Sequence, residues 1–200
     1  MLNYQKQTLK GTEFTIGLDL DGTSGGFHRS FRDVLIAHQG WAPTAIPVRT
    51  PNVYSYVEAG IFPCENTFKK ALFAATGHGV SRKAAPYRGF RKAIRSLVDD
   101  FGAGIRVITS RPDDALEDTV YWLENVAKVP FHDVHICHDK TKVKADIYID
   151  DMPAHIAALR GKGRTAVVYH QPYNSHVEGD RLRSWTNAAP MLNSLARVNA

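Results

Sequence analysis

The chain has only two cysteines among its 200 residues, Cys64 and Cys137, and they lie far apart in the sequence. A disulfide framework is therefore not indicated, and a reducing, cytoplasmic setting is expected. No apolar run approaches the roughly 20 residues that a membrane-spanning helix needs, so no membrane partner is expected. The polar first ten residues also lack the apolar stretch of a secretory signal.

Long runs of charge of one sign are absent as well. The formal net charge is +5, but lysine and arginine are spread along the chain and are locally dense only over residues 88–95. A solvated helix face explains such a cluster, and a mildly basic surface also favours encounter with a small anionic substrate. No stable nucleic-acid binding is therefore expected. The oligomeric state, including a homodimer, is left open.

What the sequence does contain is enough apolar material for a folded domain. Hydrophobic residues make up 44% of the chain and charged residues 22%, a balance typical of globular proteins. The second half alternates strand-like and helix-like stretches, and this alternation predicts parallel βαβ units. The predicted strands are 13–19, 105–109, 134–137, 145–149 and 165–169, and the predicted helices of the second half are 113–128, 153–159 and 189–198.

The part of the chain between the first strand and this alternation has a different pattern. Its periodicity predicts helices over 28–38, 54–62, 66–75 and 87–100, with prolines between the first two. We therefore expect an α/β fold with a Rossmann-like, three-layer core of parallel strands and a small helical cap inserted after the first strand. The core is expected to comprise residues 1–27 and 89–200, and the cap residues 28–88.

The first strand ends in chemistry-bearing residues. Its apolar run continues into two carboxylates, a glycine and a hydroxyl, as Ile16-Gly17-Leu18-Asp19-Leu20-Asp21-Gly22-Thr23. Charges at the carboxyl end of a buried parallel strand lie where open α/β sheets bind their ligands. A strand that stops in a solvated turn would show the same pattern, so this stretch alone leaves both interpretations open.

The predicted sheet brings further polar residues to the same edge, because parallel strands end together. Thr109-Ser110-Arg111-Pro112 closes the second strand, Lys140 follows the third, and Asp150-Asp151 closes the strand at 145–149. Four carboxylates in one cleft repel each other strongly unless a cation lies among them. Oxygen ligands with room for water suit Mg²⁺. We therefore expect Mg²⁺ as the cofactor.

These residues resemble the four motifs of the haloacid dehalogenase-like phosphatase superfamily. The motifs correspond to Asp19-Leu20-Asp21-Gly22-Thr23, Val107-Ile108-Thr109-Ser110, Lys140 and Asp150-Asp151. Within the superfamily the chain is most similar to the 5'(3')-deoxyribonucleotidases. That similarity rests on residues 138–146 leading into Ile149-Asp150-Asp151, and on His170, Asn174 and residues 181–185 near the end of the chain.

The resemblance implies a Mg²⁺-dependent phosphomonoesterase of nucleotide metabolism that hydrolyses (deoxy)nucleoside monophosphates through an aspartyl-phosphate. Asp19 would attack phosphorus, and Asp21 would donate a proton to the leaving oxygen and later accept one from water. Thr109 and Lys140 would hold the phosphoryl oxygens. Ser110 would contact the substrate near the same turn.

The resemblance also implies the metal ligands and a base contact. The metal would be held by Asp19, the backbone carbonyl of Asp21 and the pair Asp150 and Asp151, with Asp151 as the direct ligand of the pair. Phe27 would stack on the base of a nucleotide substrate.

Taken singly, these residues have ordinary structural interpretations. Thr109 could satisfy a strand end, Lys140 could be a solvated lysine, Arg111 could cap the next helix, and Phe27 could be a core residue. Two other functions also remain: the same chemistry on a sugar phosphate or a nucleic-acid end phosphate, and binding without turnover on the same fold. The intact acidic set with Thr109 and Lys140 argues against the binding protein, which has no need of both paired carboxylates.

Overall fold

The computed structural model describes residues 1–199 and is built around a sheet of seven strands. The strands are β1 (Leu2–Gln5), β2 (Phe14–Leu18), β3 (Ala103–Thr109), β4 (Asp133–Ile136), β5 (Ile147–Asp150), β6 (Thr165–Tyr169) and β7 (Arg181–Leu182). Their order across the sheet is β1-β4-β3-β2-β5-β6-β7. All neighbours are parallel except β1, which pairs antiparallel with β4. The predicted α/β fold class is confirmed.

Helices cover both faces of this sheet. They are α1 (Phe27–Gln39), α2 (Glu65–Gly77), α3 (Val80–Lys83), α4 (Phe90–Asp99), α5 (Leu116–Tyr121), α6 (Pro153–Gly161) and α7 (Ala188–Asn199), with a π-helical turn at Trp122–Ala127 that continues α5 and short 3₁₀ turns at Asp113–Ala115, Lys140–Lys142 and Pro172–Asn174. The main apolar core lies between the sheet and α4, α5 and α7. A smaller core lies on the opposite face under α6. None of the helices over residues 1–199 is both long and apolar enough to cross a membrane.

The central strand β2 lies where the strand order reverses. The chain passes from β2 to β3 and β4 on one side, and later to β5, β6 and β7 on the other. Leu18 pairs with Ile149 of β5, and the next residue, Asp19, donates its backbone N–H to the carbonyl of Ile149 at 3.0 Å. The crevice beyond such a reversal is the usual ligand site of open α/β sheets.

The segment between β2 and α4 has its own apolar cluster. Phe31, Leu35 and Phe62 are buried in it, together with small and branched residues of α1, α2 and α3. A separate cluster supports the predicted cap over 28–88, whose boundaries remain a prediction. The prediction of a helix over 54–62 is wrong, because this segment forms turns.

Local hydrogen bonds explain that error. The hydroxyl of Ser55 accepts the backbone N–H groups of Val57 and Glu58, and Gly60 has a φ of 72°. A serine side chain that bonds its own backbone in this way competes with helix formation. The apolar residues that suggested a helix instead pack from successive turns onto the cap cluster.

The other helices and strands of the sequence analysis are present, with bounds that differ by a few residues. The strand predicted at 165–169 is confirmed to the residue, and the helix predicted at 87–100 begins three residues later, at Phe90. Sequence patterning missed β1, β7 and α3. All four residues of β1 are exposed, so this edge strand carries no apolar alternation, and β7 and α3 are too short for a period.

Gly17 in β2 generates a prediction about stability. A Cβ atom at this position would lie 2.8 Å from Cδ1 of both Ile108 and Tyr148. The Tyr148 ring cannot move aside easily, because its hydroxyl donates to the carbonyl of Val143 at 2.6 Å. We expect Gly17→Ala to lower the free energy of unfolding by about 1–3 kcal/mol, the usual cost of overpacking.

Urea unfolding measures this change, with Gly161→Ala as the matched control. Gly161 ends α6, and a Cβ there has open space around it. That substitution should be neutral or stabilising by up to about 1 kcal/mol, since alanine is the better helix former. Equal stability of the Gly17→Ala variant and the unchanged protein would contradict the packing described for β2.

Candidate active site

Three aspartates converge at the carboxyl edge of the central strands. Asp19 directly follows β2, Asp150 is the last residue of β5, and Asp151 follows it. All three are buried, and each offers a carboxylate oxygen within 4.8 Å of the others. Side chains so far apart in sequence meet here because the two parallel strands are neighbours and end together.

Lys140 lies between two of these carboxylates. Its Nζ donates to Oδ1 of Asp19 at 2.5 Å and to Oδ2 of Asp150 at 2.6 Å, and the residue is only 4% exposed. The lysine begins a 3₁₀ turn that Asp139 caps by accepting the backbone N–H of Thr141 at 3.2 Å. The solvated lysine of the single-residue interpretation is thereby excluded.

Burial and mutual repulsion shift the pKa values of this cluster. Burial raises the pKa of Asp19, and the neighbouring Asp150 adds to the rise although Lys140 opposes it. The pKa of Asp151 is raised well above its usual value, by burial first and then by Asp19 and Asp150. Burial also acts upward on Asp150, but Lys140 and His155 outweigh it and lower the pKa of Asp150 to about 2. A site with this much uncompensated negative charge favours binding of a cation.

Asp151 is held by hydroxyl groups on both of its carboxylate oxygens. Thr23 Oγ1 donates to Oδ1 at 2.6 Å, and the hydroxyl of Tyr173 donates to Oδ2. Gly22 passes close to the same carboxylate with a φ of 84°, and a Cβ on it would lie 2.6 Å from Oδ2 of Asp151. Only glycine fits here, both for its backbone conformation and for its size.

The donor set fits a magnesium ion. Asp19 and Asp151 offer carboxylate oxygens within 4.8 Å of each other, and Mg²⁺ takes hard oxygen ligands of this kind. Asp150 already accepts from Lys140, from the backbone N–H of Met152 at 2.8 Å and, at 3.1 Å, from Nδ1 of His155. Of the three aspartates, Asp150 therefore has the least capacity left to bind a metal ion. Its role in orienting the site and the contribution of the Asp21 carbonyl remain predictions.

Asp21 has a partner that the sequence analysis missed. Arg111 donates two hydrogen bonds to the Asp21 carboxylate, from Nη2 at 2.6 Å and from Nε at 2.8 Å. The guanidinium is buried, and its third nitrogen donates to the hydroxyl of Thr119 in α5 at 3.1 Å. The pKa of Arg111 is raised, because Asp21 outweighs the lowering effect of burial. Arg111 therefore does not serve as the helix cap considered from the sequence.

A cavity of about 410 Å³ opens above this cluster. Asp19, Asp21, Thr109 and Ser110 lie on its core side, and Phe27 lies on its cap side. The predicted residues of the turn after β3 thus reach the cavity, Thr109 as a buried side chain and Ser110 as a partly exposed one. Lys140 lies behind the aspartates and does not line this cavity, so its direct contact with a phosphoryl group stays a prediction.

The cap side of the cavity is largely aromatic. Phe27 stacks on Phe31 with ring centroids 5.6 Å apart. Nε2 of His28 lies 2.9 Å from the carbonyl of Pro47 and must donate to it, so Nδ1, 3.0 Å from the hydroxyl of Tyr56, accepts from that hydroxyl. Burial lowers the pKa of His28, in keeping with this neutral state. The wall thus offers ring faces and neutral polar groups near the acidic floor.

Sequence comparison relates most of the chain to nucleotidases. The profile of the family described as 5' nucleotidase, deoxy (pyrimidine), cytosolic type C protein matches residues 14–199. A relative from Chlorobaculum tepidum is 31% identical over 192 residues, which cover 92% of this chain and 93% of that protein. One from Bordetella bronchiseptica is 27% identical over 178 residues, which cover 85% and 92%. Both carry the provisional name 5'(3')-deoxyribonucleotidase.

Solved structures support the fold. A haloacid dehalogenase-like family hydrolase from Streptococcus pneumoniae superposes with a TM-score of 0.62 at 10% identity, over 90% of this chain and 98% of that one. A haloacid dehalogenase-superfamily hydrolase from Geobacter sulfurreducens superposes with a TM-score of 0.57 at 13% identity, over 94% and 100%. The resemblance inferred from the four motifs is confirmed. The chain therefore belongs to the 5' nucleotidase, deoxy (pyrimidine), cytosolic type C family, and it is a hydrolase of phosphoric monoesters of the nucleotidase type.

Proposed function

We propose that this enzyme hydrolyses (deoxy)nucleoside monophosphates to nucleoside and phosphate, with Mg²⁺ as cofactor and an aspartyl-phosphate as intermediate. The observation that carries the proposal is the convergence of Asp19, Asp150 and Asp151 at the floor of a cavity whose opposite wall is aromatic. The floor suits a phosphate held through a metal ion, and the wall suits a base. Relatives named as 5'(3')-deoxyribonucleotidases support the substrate class.

Asp19 is the nucleophile in this proposal. Lys140 binds one of its two carboxylate oxygens at 2.5 Å, which fixes the orientation of the carboxylate and leaves the other oxygen for attack on phosphorus. The P–O bond to the nucleoside breaks as the P–O bond to Asp19 forms. Water then attacks the aspartyl-phosphate and releases inorganic phosphate, so that one difficult displacement becomes two easier ones.

Asp21 moves the protons in both steps. It donates a proton to the leaving oxygen of the nucleoside and then takes one from the attacking water. The two hydrogen bonds from Arg111 fix the orientation of the Asp21 carboxylate at the cavity.

The charges of the cleft explain the need for a metal. Within residues 1–199, Lys140 and Arg111 are the only lysine and arginine that form ion pairs with Asp19, Asp21, Asp150 or Asp151, and the substrate adds a phosphate dianion. When bound, Mg²⁺ would supply positive charge against the phosphate dianion. Asp19 and Asp151 would hold it, with the carbonyl of Asp21. Thr109 and Ser110, which line the core side of the cavity as well, would bind phosphoryl oxygens.

We also place the activity in the cytoplasm. Both cysteines are free, Cys64 exposed and Cys137 buried, which suits a reducing compartment. A homodimer remains compatible with the chain.

Replacing the nucleophile tests the chemistry. We expect Asp19→Asn to lower kcat for phosphate release from dTMP or dUMP by about 10⁴-fold or more, since an amide cannot form the acyl-phosphate. Asp99→Asn, at an exposed aspartate of α4, should keep full activity. Phosphate release measured with both variants decides the point, and equal turnover by the Asp19→Asn variant would refute the assignment.

Removing the metal tests the cofactor. Treatment with excess EDTA should abolish phosphate release, because the carboxylates would then repel the substrate dianion without compensation. Addition of Mg²⁺ beyond the chelator should restore the rate. Undiminished turnover with EDTA present would show that the acidic cluster works without a divalent cation.

Shortening the aromatic wall tests the substrate class. We expect Phe27→Ala to reduce kcat/KM for dTMP by about 5- to 150-fold, the equivalent of the 1–3 kcal/mol that stacking of a base on an aromatic side chain contributes. The rate with 2-deoxyribose 5-phosphate, which has no base, should stay unchanged. Phe73→Ala is the control, since Phe73 lies on the cap at 75% exposure. If the unchanged enzyme prefers the sugar phosphate, or an end-phosphorylated oligonucleotide, to every mononucleotide, that substrate replaces the proposed one.

A further inference from the structure

A tyrosine from outside the four motifs contacts a carboxylate assigned to the metal. The hydroxyl of Tyr173 donates to Oδ2 of Asp151, while Thr23 donates to Oδ1 at 2.6 Å. Two donors on the two oxygens of one carboxylate fix its rotation about the bond to the Cβ atom. Each carboxylate oxygen has two lone pairs, so Oδ2 can accept the tyrosine hydrogen bond and still bind a cation.

The turn that carries Tyr173 is tied to both neighbouring loops of the site. Asn174, which is fully buried, donates to the backbone carbonyls of Asp151 at 2.7 Å and Tyr169 at 2.8 Å. Gln171, at the other end of the turn, donates to the carbonyl of Gly22 at 2.5 Å. The 3₁₀ turn Pro172–Asn174 is therefore a fixed platform, and it holds the tyrosine hydroxyl against Asp151.

The cap reaches this platform through Tyr54. The Tyr54 ring meets the Tyr173 ring edge to face, with centroids 5.4 Å apart and planes at 83°. Such pairs are stabilising contacts. Tyr54 belongs to the irregular segment before α2, is 52% exposed and lines the cavity. A cap residue thus packs on the side chain that orients Asp151.

We propose that Tyr173 is a positioning residue for the metal ligand Asp151, and that Tyr54 connects the cap to this metal site. The proposal rests on the metal site of the proposed function. Its physical basis is that a ligand held in its binding orientation before the ion arrives loses less freedom on binding. Outer partners of this kind typically contribute 10- to 100-fold to metal affinity.

Metal affinity without substrate is the direct test of the hydroxyl. Mn²⁺ binding is followed by electron paramagnetic resonance of the free ion, and Mg²⁺ is then titrated as a competitor. We expect Tyr173→Phe, which keeps the ring and removes the hydroxyl, to lower the affinity for both ions by about 10- to 100-fold. Tyr169→Phe is the matched control, since the Tyr169 ring stacks on Tyr87 and Trp185 and does not line the cavity.

The same titration with Tyr54 variants tests the connection to the cap. Tyr54→Ala should also lower the metal affinity, by a smaller factor of about 2- to 10-fold that corresponds to the strength of an aromatic pair. Tyr54→Phe should restore the affinity, because the contact needs the ring alone. Thermal unfolding of each variant without metal should stay close to that of the unchanged chain, so that a fall in affinity reports the site rather than the fold.

The outcomes separate the proposals. Equal or tighter metal binding by Tyr173→Phe would overturn the positioning role and leave the proposed function standing. Unchanged affinity in Tyr54→Ala would overturn the connection to the cap. Failure of the unchanged protein to bind either ion would overturn the metal site of the proposed function, and with it this proposal.

Discussion

The buried ammonium of Lys140 between Asp19 and Asp150 is the contact on which the candidate site depends. Nζ of Lys140 lies 2.5 Å from Oδ1 of Asp19 and 2.6 Å from Oδ2 of Asp150. Within residues 1–199, no other lysine or arginine pairs with either carboxylate. Removing one partner of such a buried pair typically costs about 3–5 kcal/mol, because the other charge is left uncompensated. Its two contacts orient the Asp19 carboxylate and occupy one oxygen of Asp150. Positioning and charge balance therefore come from the same side chain.

The sheet makes this contact possible, and the end of the chain completes it. Parallel strands bring Asp19 and Asp150 to one edge of the sheet. Side chains of the turn after β6 donate hydrogen bonds to the backbone carbonyls of Gly22 and Asp151. Trp185 adds a hydrogen bond from its ring N–H to the carbonyl of Thr23 at 2.8 Å. Residues far beyond the last motif thus hold the turn of the first motif. The sequence similarity near residues 170–185 has a structural explanation in these bonds.

The sequence predicted the acidic floor well, since strand-end carboxylates follow from a run of apolar residues that stops at Asp19 and another that stops at Asp150. It could not predict the partners of those groups. Arg111 was visible beside Thr109, but nothing in its neighbourhood indicated that its side chain turns to Asp21, 90 residues earlier. Tyr173 lies outside all four motifs, so the sequence did not indicate its contact with Asp151. The wrong prediction of a helix at 54–62 has a similar origin, because the hydrogen bonds that Ser55 Oγ accepts from the backbone outweigh a favourable apolar pattern.

The central claim is that Asp19 carries the phosphoryl group during turnover. The most direct measurement is an acid quench of the enzyme during steady turnover of dTMP labelled at phosphorus, followed by proteolysis and mass spectrometry. If Asp19 is the nucleophile, the label is found at the carboxylate of Asp19 in the peptide that contains it, and no peptide is labelled when Mg²⁺ is withheld. A phosphorylated peptide from another part of the chain, or turnover without any labelled peptide, would contradict it.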